Sequence, residues 1–165
     1  MALALQGLRV LDLTRVLAGP YAAMVLADLG ADVVKIEVPG RGDDSRAYPP
    51  YVNGESAYFM SLNRNKRSVT LDLKNPAARE LFLSLARKAD VVLENFRPGT
   101  MARLGLSYET LHIENPRLIY AAASGFGQSG PYSQRAAYDA VIQAMGGLMS
   151  ITGPEGGAPT RVGTS

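Results

Sequence analysis

The sequence predicts an α/β fold, a doubly wound and mostly parallel sheet, and three observations carry that prediction. Short runs rich in β-branched residues alternate with stretches of helical periodicity along the 165 residues. Each strand, helix, strand unit is a crossover, which implies parallel pairing and a right-handed connection. Hydrophobic residues make up 47% of the chain and charged ones 19%, the balance of a core-forming protein rather than a disordered one.

Taken in order, Leu8 to Leu13 (LRVLDL) is the first strand. Pro20 suits the first turn of the helix PYAAMVLADLG, and Gly30 can end it in a left-handed cap. Asp32 to Glu37 (DVVKIE) is the second strand and Ser68 to Leu73 (SVTLDL) the third. Asn75 as cap and Pro76 at the first position then open the helix PAARELFLSLARK. Asp90 to Leu93 (DVVL) is the fourth strand. Ser107 caps a short helix, YETLHIEN, which Pro116 stops, and Leu118 to Ala123 (LIYAAA) is the fifth strand. A last helix runs from about Asp139 to Met149, ahead of the loop TGPEGGAP. The segment 38–55, rich in Gly, Pro and Asp, is expected to line a site rather than to link domains.

Composition removes several function classes. Seventeen Lys and Arg against 15 Asp and Glu leave a net charge of +2, too small for a nucleic-acid partner. The absence of cysteine excludes disulfides, thiolate metal sites and cysteine nucleophiles here, and fits a cytoplasmic location. No H-x-x-x-H or carboxylate cluster suggests a metal. The first residues, MALALQGLRVLDLTR, lack a basic leader region and read as the approach to a strand. No run approaches the ~18 apolar residues a membrane span needs, so no membrane partner is expected.

In sheets of this type ligands bind beyond the carboxyl ends of the strands. There the chain places TRVLAGP, EVPGRGDD, KNP, ENFRPG and SGFGQSGP. The motif GFGQSG, Gly125 to Gly130, matches G-x-G-x-x-G but follows the fifth strand and opens no helix, so it reads as a glycine-rich loop rather than a dinucleotide site. Glu37 thereby loses a ribose-binding role. NRNKRS groups Arg64, Lys66 and Arg67 just before a strand, with Lys74 at that strand's other end and Arg103 after the next turn. These cations suit either a solvated basic turn or an anionic, multi-phosphate ligand. Asp12, Glu37, Asp72 and Glu94 stand at strand ends, where they cap loops. His112 is the only histidine and has no serine or aspartate placed to form a hydrolytic triad.

Together, DLTRVLAGPYAAMVLADLGADVVKIEVPGRGD, NRNKRSVTLDLK, VVLENFRPG, NPRLIYAAASGFGQSGP and AYD resemble the class III CoA-transferase family in order and with short spacers. That family includes formyl-CoA and carnitine CoA-transferases and the α-methylacyl-CoA racemases. The resemblance implies a Rossmann-like large domain without NAD, of which residues 1–165 would be the amino-terminal part. It also implies a second, smaller domain absent from this chain, and a homodimer of interlocked subunits. Coenzyme A or acyl-CoA enters as substrate rather than as a permanently bound cofactor, and a carboxylic acid is the acceptor. Carried over position by position, the CoA-binding residues are Val16, Leu17, Ala18, Leu71, Asp72, Leu73, Lys74, Asn95, Phe96, Arg97, Arg103 and Tyr138. Formyl-CoA transferase has a glutamine where Leu17 stands, an arginine at Val38 and a lysine at Ala136. Those departures point away from formyl- and oxalate-type substrates and leave the acyl group open.

The racemases use a histidine before an aspartate at the position of Tyr138-Asp139. A phenol, with a pKa near ~10, is a poor base at neutral pH, which favours transferase over racemase. A non-catalytic CoA-binding fragment is the other alternative. In the family an aspartate attacks the thioester and an aspartyl acyl intermediate follows. The resemblance places that nucleophile shortly beyond Ser165, after GAPTRVGTS, and makes Asp139 a supporting acid. The 165-residue chain alone is therefore expected to be inactive.

Overall fold

The computed structural model describes residues 3–163. They fall into two compact units, with the boundary between Ala123 and Ser124. Thr164 and Ser165, the end of the GAPTRVGTS stretch, lie outside the described residues.

The first unit opens with β1 (Arg9–Asp12), α1 (Ala18–Asp28) and β2 (Asp32–Glu37). Gly30 closes α1 at φ +103, the left-handed conformation expected of it. A single-turn 3-10 helix (Asp44–Ala47) and a hairpin of β3 (Tyr51–Val52) and β4 (Glu55–Ser56) follow, then α2 (Ala57–Asn63) and β5 (Lys66–Thr70). Next come α3 (Pro76–Ala86), β6 (Val91–Glu94), α4 (Thr100–Arg103), α5 (Tyr108–Glu114) and β7 (Ile119–Ala122). The Asn75 side chain caps α3 by accepting from the Ala77 N–H, and Ser107 caps α5 from Thr110, as their sequence positions predict.

Five parallel strands form one sheet in the order β5-β2-β1-β6-β7. Chain direction across the sheet reverses between β1 and β6, the switch point of a doubly wound fold. One face packs Val10, Val33, Val91 and Leu93 against Ala23 and Ala27 of α1. The other packs Leu11, Ile36 and Val92 against Phe82 and Ala86 of α3 and Leu111 of α5. Burying Phe82 completely contributes roughly 1.5–3 kcal/mol.

Two expectations need correction. The third strand of the main sheet is Lys66–Thr70, not Ser68 to Leu73, because its register against β2 pairs Val33 with Lys66 and Glu37 with Thr70. Leu71 to Lys74 therefore leave the sheet and form the turn before α3. The segment 38–55 is not one open loop, since it carries the 3-10 turn and the hairpin.

In the second unit, Gly125 to Gly130 form turns and bends, and no helix opens on them. Helix α6 (Asp139–Met145) stops short of Met149, because Gly147 adopts φ +79 and starts a separate 3-10 turn at Leu148–Ser150. Apolar side chains stay exposed here, Tyr138 at 75% and Ile151 at 82%, while Gln143 is buried.

Candidate functional site

The carboxyl ends of β1 and β6 flank the switch point, and the loops leaving them are joined directly. Asn95 accepts from the Arg15 N–H at 2.8 Å and donates its amide to the Arg15 carbonyl at 2.8 Å, so one side chain satisfies both backbone groups of one residue. The Arg15 guanidinium also lies 5.2 Å from the centre of the Phe96 ring. Helix α1 begins here with no side-chain cap on its first turn. Gly19 permits this approach: a Cβ there would stand 2.4 Å from Thr14 Cβ.

The four acids at strand ends do cap loops. Asp12 accepts from the Thr14 N–H, Asp72 from Lys74, Glu94 from Phe96 and Glu37 from Asp43. Burial pushes the Glu94 carboxyl up, and the hydrogen bonds from the Phe96 N–H and Tyr120 hydroxyl only partly oppose this. Glu37 is as well buried but behaves in the opposite way. Burial raises it, yet Arg46, Ser68 and the Asp43 N–H together bring it to about 2.

Behind the β1 loop, on the α1 face, runs a buried ionic row. The Lys66 ammonium reaches Asp12 at 2.9 Å, the Pro20 carbonyl and the Asn63 side chain. Burial lowers its pKa, with the Asp12 carboxylate pulling the other way. Lys35 donates to the Thr14 carbonyl at 2.8 Å and lies 2.9 Å from Asp43 Oδ2. Asp43 sits low on the carboxylate range: burial raises it, and the neighbouring Lys35 more than reverses that.

The residues nominated from sequence separate into groups. Val16, Leu17 and Ala18 line the β1 side of the crevice and Asn95, Phe96 and Arg97 the β6 side. Leu71, Asp72, Leu73 and Lys74 follow β5, two strand spacings from β1, or about 10 Å. The Leu71 side chain is buried in the core, so only its backbone faces outward chemistry, and Leu73 packs partly against the same core. Arg103 ends α4 and donates to Thr100, which leaves the rest of its guanidinium exposed. Among the described residues no carboxylate pairs with Lys74, Arg97 or Arg103.

The basic cluster of NRNKRS serves the fold instead. Arg64 pairs with Asp28, Arg67 with Asp32 and Lys66 with Asp12, so these three are not free phosphate ligands. His112 is exposed and stacks on Tyr108 at 5.3 Å.

Tyr138 and Asp139 belong to the second unit. Asp139 Oδ2 accepts from the Gln143 amide at 2.6 Å, and Gln143 Oε1 accepts from the Val162 N–H at 2.9 Å. Gln143 thus ties the segment Arg161-Val162 to α6. Sequence reasoning missed it, as it also missed Asp43 and Lys35; for Gln143 and Lys35 the available signal was a polar residue inside an otherwise apolar run, and for Asp43 there was none.

Comparison with known proteins places these features in context. A family model described as CoA-transferase family III matches residues 5–165. The chain is 57% identical over 157 residues to an acetyl-CoA:oxalate CoA-transferase of Acetobacter aceti, a match covering 95% of this chain and 40% of that protein. It is 52% identical over 162 residues to a succinyl-CoA:glutarate CoA-transferase of Mus musculus, covering 98% of this chain and 37% of that protein. Among solved structures, a CAIB/BAIF family protein from Brucella suis superposes with a TM-score of 0.93 at 47% identity, over 99% of this chain and 44% of that one. The chain therefore spans less than half the length of the relatives it matches.

Proposed function

We propose that this chain, which belongs to CoA-transferase family III, supplies the CoA-facing part of an acyl-CoA:carboxylate CoA-transferase. The observation that carries this reading is the clamped pair of loops at the switch point, together with exposed cations that no acid neutralises among the described residues. The uncapped α1 terminus and the Lys74, Arg97 and Arg103 side chains suit the phosphates of CoA, Arg as a fork and Lys as a point charge. The acceptor class is a small dicarboxylate, supported by relatives named for oxalate, glutarate and mesaconate. The departures at Leu17, Val38 and Ala136 do not weigh against oxalate, since a 57% identical relative is named for it.

The proposed chemistry passes through an aspartyl intermediate. An aspartate carboxylate attacks the thioester carbonyl, the C–S bond breaks, CoA leaves as thiolate, and the new C–O bond makes a mixed anhydride of the acyl group and the aspartate. The thiolate then attacks the aspartyl carbonyl, releasing the donor acid and leaving an aspartyl-CoA thioester. The acceptor carboxylate takes the aspartyl group's place by the same two steps in reverse order, which regenerates the aspartate. Splitting one transfer into several exchanges lowers each barrier. The nucleophile belongs, on this reading, to the remainder of a longer protein, with Asp139 as a supporting acid held by Gln143. A cytoplasmic, interlocked homodimer belongs to the same proposal, and light scattering on the longer protein tests the dimer. The racemase alternative is set aside: a tyrosine stands where its histidine is required, and His112 lies exposed on α5.

The test is CoA transfer by the longer protein from acetyl-CoA or succinyl-CoA to oxalate, glutarate and mesaconate, followed by chromatography of the CoA esters. Transfer to at least one is expected, and none with any pair would overturn the reading. For the 165-residue chain, calorimetry with CoA should show binding that Lys74→Ala combined with Arg103→Ala removes.

A further inference from the structure

Val16 is the one β-branched residue among the described residues with positive φ, at +70. In that left-handed region a β-branched side chain crowds its own backbone, at a cost on the order of 1–3 kcal/mol. Such a conformation persists only where its surroundings over-determine it. Here they do, from the turn that follows β2. Asp43 Oδ1 accepts from the Val16 N–H at 3.1 Å. The same oxygen accepts from the Ser45 N–H and hydroxyl, which fixes the Asp43 side chain in the 3-10 turn. The Lys35 ammonium, 2.9 Å from the other carboxylate oxygen, bonds the Thr14 carbonyl two residues before Val16. Asp43 and Lys35 are each only 2% exposed, so solvent does not dilute the arrangement.

We infer that Asp43, with Lys35 as its counter-ion, is a positioning residue that holds the Val16–Ala18 loop in its ligand-receiving shape. The inference rests on the proposed role of that loop in binding CoA. It goes beyond that role by placing the control of the loop on two buried residues outside the loop itself. Asp43 sits in the turn after β2, so it links the loops after β1 and β2 as Asn95 links those after β1 and β6. An isosteric acceptor should suffice for the loop, while the charges matter to the pair itself.

Two double variants separate these roles. Lys35→Met with Asp43→Asn removes both charges together, which leaves no buried ion unpaired and keeps an acceptor for Val16. Lys35→Met with Asp43→Ala removes the acceptor in the same background. Amide hydrogen exchange at Val16 and calorimetry with CoA are measured on both, after circular dichroism shows equal helix content. The alanine variant should exchange the Val16 amide about tenfold faster and bind CoA about tenfold more weakly than the asparagine variant. Equal exchange and equal affinity in the two would overturn the inference. If the unmodified chain binds no CoA, the CoA reading of the loop fails, and the inference about ligand positioning fails with it. The Val16 exchange difference would then still establish whether Asp43 shapes the backbone, so the two failures remain distinguishable.

Discussion

The two ends of the sheet use the same kind of residue for opposite purposes. Toward the amino ends, Arg64 and Arg67 meet Asp28 and Asp32, and Lys66 runs inward to Asp12. Beyond the carboxyl ends, Lys74, Arg97 and Arg103 have no carboxylate partner among the described residues. The difference shows that a basic cluster in sequence says little until its acids are located. NRNKRS is the denser cluster and is consumed by the fold, while the scattered cations keep no carboxylate partner among the described residues and are the ones proposed for an anion.

That contrast can be broken by removing cations from each end, and the largest effect should come from the buried one. Lys66→Ala leaves Asp12 buried without its 2.9 Å partner and should destabilise the protein by about 3–5 kcal/mol, read from urea denaturation. Next is acid. Glu37 has a folded pKa of about 2 against an ordinary 4.5, so the stability it contributes is complete above 4.5 and is lost as pH falls toward 2. The loss should reach at most about 3 kcal/mol and should shrink in Arg46→Met. A urea midpoint that does not fall across that window would show the Glu37–Arg46 pair to be idle. At the other end, Lys74→Ala and Arg103→Ala should each weaken CoA binding about tenfold while changing stability by less than about 0.5 kcal/mol. If either instead destabilises the fold, the two ends are not different in kind. The smallest effect belongs to Arg67→Ala. Its pair with Asp32 is exposed, so about 0–1 kcal/mol of stability should be lost and CoA affinity should not move.

Much of the framework was legible because it rests on local signals. Asn75-Pro76, Ser107 and Gly30 mark helix ends by chemistry that needs no tertiary partner, and each acts as expected. The third strand was misplaced because β5 lies at the sheet edge with most of its side chains exposed, which blurs its apolar pattern. Its register is fixed by β2, a long-range fact that composition does not carry. The four acids at strand ends could be assigned to caps since the N–H donors they accept from lie within a few residues in sequence. Lys35 and Asp43 escaped notice for the opposite reason: a lysine inside DVVKIE looks like a solvent-facing position until the sheet is covered on both faces. Gln143 escaped likewise, as its role depends on a segment 19 residues away.

The buried row, with the Glu37 pair to half-buried Arg46 beside it, carries three cations, Lys35, Lys66 and Arg46, against three carboxylates, Asp12, Asp43 and Glu37. Being neutral as a set, it projects almost no field past the loops it supports. On the proposed CoA reading, the approach of a polyanion is then guided by exposed cations such as Lys74, Arg97 and Arg103, and guidance of that kind acts on arrival rather than on residence. Raising ionic strength should therefore slow capture of CoA, while its rate of escape is left to the stiffness of the loop around Val16.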